Sequence, residues 1–240
     1  MTLSKRLSIL VLLALPLITL AETLVPFTAR MEVTRYGVVD VHADGELRLQ
    51  QTDDGNWHYR LFAQARGVQL SEDSWFAVQD SDIRPQRYRA ETKVLWSVDR
   101  TRLNFDYSGQ RITGEADGDR VNLRLTEAVY DPLSYQLVLQ QRLKAGEREL
   151  EFDVFRIDEI DDFAFRVAGE ERLRIAGGTV DTWIIDQTEP LLRKERKRIW
   201  IAPSLGFVPL RFTREYDGKL REEFRVTSLS INGEPVDFRE

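Results

Sequence analysis

The chain of 240 residues has two histidines, His42 and His58, and no cysteine. Those counts limit its chemistry. Without cysteine there is no thiolate nucleophile, no disulfide exchange and no zinc–thiolate centre. A histidine metal site would need both imidazoles plus carboxylates, and a histidine-dependent triad would have only these two bases. His58 stands between Trp57 and Tyr59 at a polar position of an alternating run, as a solvated strand residue does. No serine lies in a Gly-x-Ser-x-Gly elbow.

The acidic run Asp158-Glu159-Ile160-Asp161-Asp162 is rich in oxygen, as calcium loops are. Its spacing is not that of an EF-hand and it has no turn glycine, so it reads as a solvated hairpin tip. With 40 acids in the chain, a pair of carboxylates for sugar hydrolysis has no distinguishing signal. No catalytic residue, metal ligand or cofactor site is therefore assigned. The densest charge run is Arg193-Lys194-Glu195-Arg196-Lys197-Arg198. Its cations Arg193, Lys194, Arg196, Lys197 and Arg198 either form a basic patch for phosphate, lipid headgroups or an acidic partner, or pair with nearby acids on an exposed hairpin. Trp57, Trp75, Trp96, Trp183 and Trp200, with Tyr135, are candidates to line an apolar ligand site, and core packing accounts for such aromatics equally well.

The amino end predicts export. Lys5 and Arg6 precede an apolar run over residues 7–20, and Thr19-Leu20-Ala21 supplies small residues at −3 and −1. Cleavage is expected after Ala21. No cysteine follows, so a lipid-attachment site is not expected, and no second apolar span predicts a transmembrane segment in the mature chain. The formal charge of −6 loses two cations with residues 1–21 and becomes −8. An acidic mature chain argues against nucleic acid as a partner. The expected compartment is the periplasm.

The elements that must position these residues are mostly strands. Residues 30–34, 56–61, 102–107, 120–125, 149–154 and 163–167 alternate polar and apolar, as half-buried antiparallel strands do. Turn signals such as Asp53-Asp54-Gly55, Ser108-Gly109, Asp117-Gly118, Gly177-Gly178, Asp217-Gly218 and Asn232-Gly233 separate them. One segment departs from this period. Asp131 can cap, Pro132 suits a first helical turn and Gly146 a stop, so a helix is predicted near residues 132–144. Its apolar residues wrap more than one side, as in a helix buried on several sides. The expectation is an all-β, mainly antiparallel fold: a curved sheet or half-open β-barrel of about a dozen strands holding one buried helix. Residues 22–240 are expected to form a single β-rich domain.

Three stretches carry a family resemblance: Tyr130-Asp131-Pro132-Leu133-Ser134-Tyr135, Ile83-Arg84-Pro85-Gln86-Arg87-Tyr88, and a Trp-x-Ala-Pro-x-x-Gly-x-x-Pro-Leu-Arg stretch from Trp200 to Arg211. With the export signal, the chain resembles the exported bacterial family called domain of unknown function 3108. The resemblance implies compartment and fold and transfers no catalytic residue. The expected shape is also similar to the half-barrel of periplasmic lipoprotein carriers and sensors, a likeness of fold alone. The functional expectation is a non-enzymatic periplasmic protein that binds a lipid or lipoprotein-like ligand, or an envelope protein partner. The alternatives are an interaction scaffold with no cavity and, with least support, a carboxylate-dependent envelope glycan hydrolase.

Overall fold

The computed structural model describes residues 24–125, 128–156 and 158–239. The proposed signal peptide, residues 1–21, lies outside them. From the amino end run β1 (Phe27–Arg35), β2 (Val41–Gln51), β3 (Trp57–Ala65), β4 (Val68–Gln79), β5 (Asp82–Val94), β6 (Ser97–Asp106), β7 (Arg111–Ala116) and β8 (Asp119–Arg124). A short β9 (Val129–Tyr130) leads into helix α1 (Ser134–Lys144). Then come β10 (Glu149–Arg156), β11 (Glu159–Ile175), β12 (Gly178–Glu189), β13 (Glu195–Ala202), β14 (Val208–Tyr216), β15 (Lys219–Ile231) and β16 (Glu234–Pro235).

The sixteen strands among the described residues belong to one sheet, ordered β8-β7-β6-β5-β4-β3-β2-β1-β15-β14-β13-β12-β11-β10-β9, with β16 on β15. The first strand pairs with the last long one, Phe27 opposite Ile231 and Arg35 opposite Glu222. Two antiparallel meanders grow outward from that seam. The exception to antiparallel pairing is β9, which runs parallel to β10.

The expected curved sheet or half-open barrel of a dozen strands is corrected by this order. The path is open: β8 and β9 are its ends and no ladder joins them, so the sheet does not curl into a barrel. Closure needs end strands in continuous register, and β9 offers two residues against the six of β8. The strand count was low because some hairpins lack the usual glycine. Asp80-Ser81 and Leu95-Trp96 make two-residue turns with Asp80, Ser81 and Leu95 at positive φ.

Alternation sorts the two faces as the sequence suggests. Trp57 and Tyr59 are buried on β3 while Arg60 is exposed, and Leu150, Phe152 and Val154 are buried on β10 between exposed acids. Helix α1 forms where expected, starting two residues later than Pro132. It buries Leu137, Leu139 and Leu143 to 1 % exposure or less. Each such side chain contributes about 2 kcal/mol of hydrophobic stabilisation. Leu137 and Leu139 lie about 200° apart around the helix, so it is enclosed on more than one side.

Candidate functional site

The site is organised by the entry to α1. Asp131 is fully buried. Its Oδ1 accepts the Leu133 and Ser134 N–H groups, both at 2.9 Å. Its Oδ2 accepts the Ser74 hydroxyl at 2.6 Å, and its own N–H donates to Ser134 Oγ at 3.0 Å. The expected cap thus acts from three residues before the helix proper, and it fastens α1 to the middle of β4. Burial pushes the Asp131 carboxyl above its ordinary range, against the pull of these hydrogen bonds. Glu72, one pleat along β4, accepts the Tyr88 hydroxyl at 2.8 Å. Burial raises its pKa too, and the nearby Asp131 carboxylate adds to the rise.

Beyond this anchor the packing opens. A cavity of about 240 Å³ lies between α1 and the sheet. Tyr135, Gln136, Leu139 and Gln140 line it from the helix, and strand residues such as Leu61, Ile201, Leu210 and Phe224 complete an apolar wall. A second cavity, about 300 Å³, flanks the helix at Leu137, Gln140 and Gln141, against Leu49, Leu205 and Val208. Gln140 borders both. Its Nε2 is buried and has no hydrogen-bond partner among the described residues. By contrast Gln136 Nε2 donates to the Pro132 carbonyl at 3.1 Å, and Gln187 Nε2 donates to the Glu189 carbonyl at 3.0 Å. The arrangement can hold an apolar body and offer one polar donor to it.

Of the six aromatic candidates, Tyr135 lines this cavity and the others do not. Trp57 is core. Trp75 lies on the opposite face of β4, stacked on His58 at 4.6 Å with the Arg87 guanidinium 4.0 Å from its ring centroid. His58 Nε2 is 2.8 Å from Asp73 Oδ1. Trp96 is 90 % exposed at a hairpin turn. Trp183 packs edge-on to Phe207, and the buried Trp200 donates its indole N–H to Glu171 at 2.7 Å. The motif from Trp200 to Arg211 is architectural in this packing: a 3₁₀ turn, Pro203–Leu205, joins β13 to β14, and Pro209 faces a bulge at Trp200/Ile201.

Strand alternation divides the basic run. Arg198 and Arg196 both reach Asp186, at 2.8 and 3.7 Å. Lys197 points to the other face, 3.7 Å from Glu195, and burial lowers its pKa. Lys194 pairs with Asp217 at 2.8 Å. Within the acidic run Asp161 pairs with Arg156 at 2.8 Å. Among the described residues no three His, Asp or Glu side chains are grouped to hold a metal ion, and no helix is long and apolar enough to cross a membrane. Sequence reading missed Gln140, Gln136 and the Ser74–Asp131 bond. The glutamines were signalled only by their helical spacing of four in a stretch without charge.

No curated protein matches the chain. Among solved structures, a β-barrel-like protein of domain of unknown function DUF1849 from Brucella abortus is 12 % identical. The match covers 87 % of this chain and 98 % of that one with a TM-score of 0.57, a likeness of fold alone. The MucA/MucB complex of Pseudomonas aeruginosa is 16 % identical over 90 % of this chain, with a TM-score of 0.37 that carries no argument. This chain spans 55 % of that one's length. The family model described as protein of unknown function (DUF3108) matches residues 30–221, the greater part of the sheet together with α1, and the chain belongs to that family.

Proposed function

We propose that this is an exported, non-enzymatic protein of the bacterial envelope that holds a single apolar, acyl-chain-like ligand between α1 and the sheet. The observation that carries the reading is the apolar cavity at Leu139, Ile201, Leu210 and Phe224. Its volume of about 240 Å³ falls just below the range of roughly 300–1,000 Å³ for small-molecule pockets. That size suits one chain better than a ligand with several. The periplasmic placement rests on the order of basic, apolar and small residues in 1–21.

Native mass spectrometry of the purified chain tests the reading. An adduct of lipid mass is expected, and Leu210→Trp, which fills the cavity, should remove it. Purified protein that carries no lipid and binds no hydrophobic dye would refute it. A second reading is an envelope protein partner docked on the face away from the cavity, where Arg196 and Arg198 stand beside Asp186.

A further inference from the structure

The hairpin turns of this sheet fall at two ends of the strands, and the two ends differ in chemistry. At one end lie the turns β2–β3, β4–β5, β6–β7 and β15–β16, built from Asp53-Asp54-Gly55, Asp80-Ser81, Ser108-Gly109-Gln110 and Asn232-Gly233. At the other end lie β1–β2, β3–β4, β5–β6, β12–β13 and β14–β15. This second end carries Val38, Val39 and Val41, then Val94, Leu95 and Trp96, together with Val68, Val98, Leu192 and Tyr216, all exposed. Val38, Val39, Leu95 and Trp96 are 107, 78, 67 and 90 % exposed. Of the exposed large apolar side chains among the described residues, only Val25 and Val78 belong to the first end.

Neighbouring turns of the apolar end are tied together. The Leu95 N–H donates to the Gly67 carbonyl at 2.7 Å, and Val68 pairs across from Val94. The Tyr36 N–H donates to Arg221 O at 2.8 Å and the Asp217 N–H to Lys194 O at 3.0 Å. The turn β5–β6 also departs from local preference. Leu95 holds a φ of 54° at a hairpin position that Asn or Gly ordinarily takes. A bulky apolar residue there, 67 % exposed, marks a surface that meets something.

Charge says what. The whole chain has 34 cations against 40 acids. Across residues 35–41, 64–69, 93–100, 190–196 and 216–219 the balance reverses to eight cations against four acids. Arg66 and Arg193 are exposed there and form no ion pair among the described residues. The outermost turns of the same end, at Asp117 and Asp158, are acidic and bound this stretch on both sides.

We infer that this end of the sheet is a docking surface for an anionic phospholipid bilayer. Leu95 and Trp96 enter the interface with Val38 and Val39, and Arg66 and Arg193 meet lipid phosphates. Aromatic and aliphatic side chains at headgroup depth, with unpaired cations beside them, are the features that such binding requires. The inference does not rest on the cavity: a chain that held no ligand would still bind vesicles.

The test is co-sedimentation of the chain from Glu22 onward, which contains the whole sheet, with phosphatidylglycerol vesicles. Binding is expected at low salt, weaker with phosphatidylcholine vesicles and lost as salt rises. The double variant Leu95→Ser/Trp96→Ser should weaken binding about tenfold. Arg66→Glu should weaken it about fivefold or more. All three side chains are exposed, so the thermal midpoint should not move, and a loss of binding at unchanged midpoint supports the surface. No sedimentation of the parent chain, or equal sedimentation of parent and double variant, overturns it.

Discussion

Helix α1 treats polar groups in two opposite ways along its length. At its entry the buried Asp131 carboxylate is fully engaged: it serves two backbone N–H groups and the Ser74 hydroxyl. One to two turns later Gln140 borders two cavities and its amide nitrogen has no partner among the described residues. The first stretch fixes where the helix stands. The second leaves room beside it. A helix inserted only to fill space would be satisfied and packed throughout, because an orphaned buried donor costs about 1–3 kcal/mol. The difference teaches that anchoring and ligand space are separated by position on one element.

Breaking the anchor has the largest expected effect. Asp131→Ala removes a helix cap and leaves the Ser74 hydroxyl and two backbone N–H groups buried without acceptors. A loss of about 4 kcal/mol in urea unfolding is expected. Ser74→Ala removes a single bond and should cost about 1 kcal/mol. If both variants cost the same, the anchor is not a network and the contrast fails. The next effect in size is Leu143→Ala, at a fully buried position away from both cavities, with an expected loss of about 3 kcal/mol.

The difference between the two stretches also explains what could be read from sequence. Asp131, Pro132 and Gly146 are local signals, and they placed the helix within two residues. Alternation over six stretches placed six strands, because burial on one face is written at a spacing of two. The open order of the sheet was not legible. It depends on which strand ends meet across the chain, as Phe27 does with Ile231. The cavity was not legible for the same reason, since Leu61, Ile201 and Phe224 come from three distant strands. Aromatic content misled: Trp75 stacks on His58 on the face of its strand away from the helix, and Trp96 stands at an exposed turn.

A pH series sharpens the comparison further. Burial raises the pKa of both Asp131 and Glu72 above ordinary values of 3.8 and 4.5. A carboxyl raised in the folded state keeps its proton where the unfolded chain has lost it. The stability that these two groups contribute is therefore present below the unfolded values and lost as pH rises through the folded ones. Glu72→Gln keeps the shape and removes one titration. The fall in the urea midpoint above about pH 5 should be shallower in that variant. An unchanged slope would place the titration elsewhere.

The smallest expected effect has the opposite sign and concerns the open stretch. Gln140→Leu replaces an amide whose Nε2 lacks a partner with an apolar group of similar volume. The desolvation cost of that donor disappears, so the ligand-free chain should gain about 1 kcal/mol. If Gln140 instead donates to the polar end of a bound ligand, the same change weakens retention of any ligand that carries an acceptor and spares a plain hydrocarbon. Measuring stability and lipid retention together separates the two roles. A gain in stability with lost retention of acceptor-bearing lipids assigns Gln140 to the ligand. A loss of stability would mean that the amide is satisfied in the folded chain, and the contrast between the two stretches of α1 would end there.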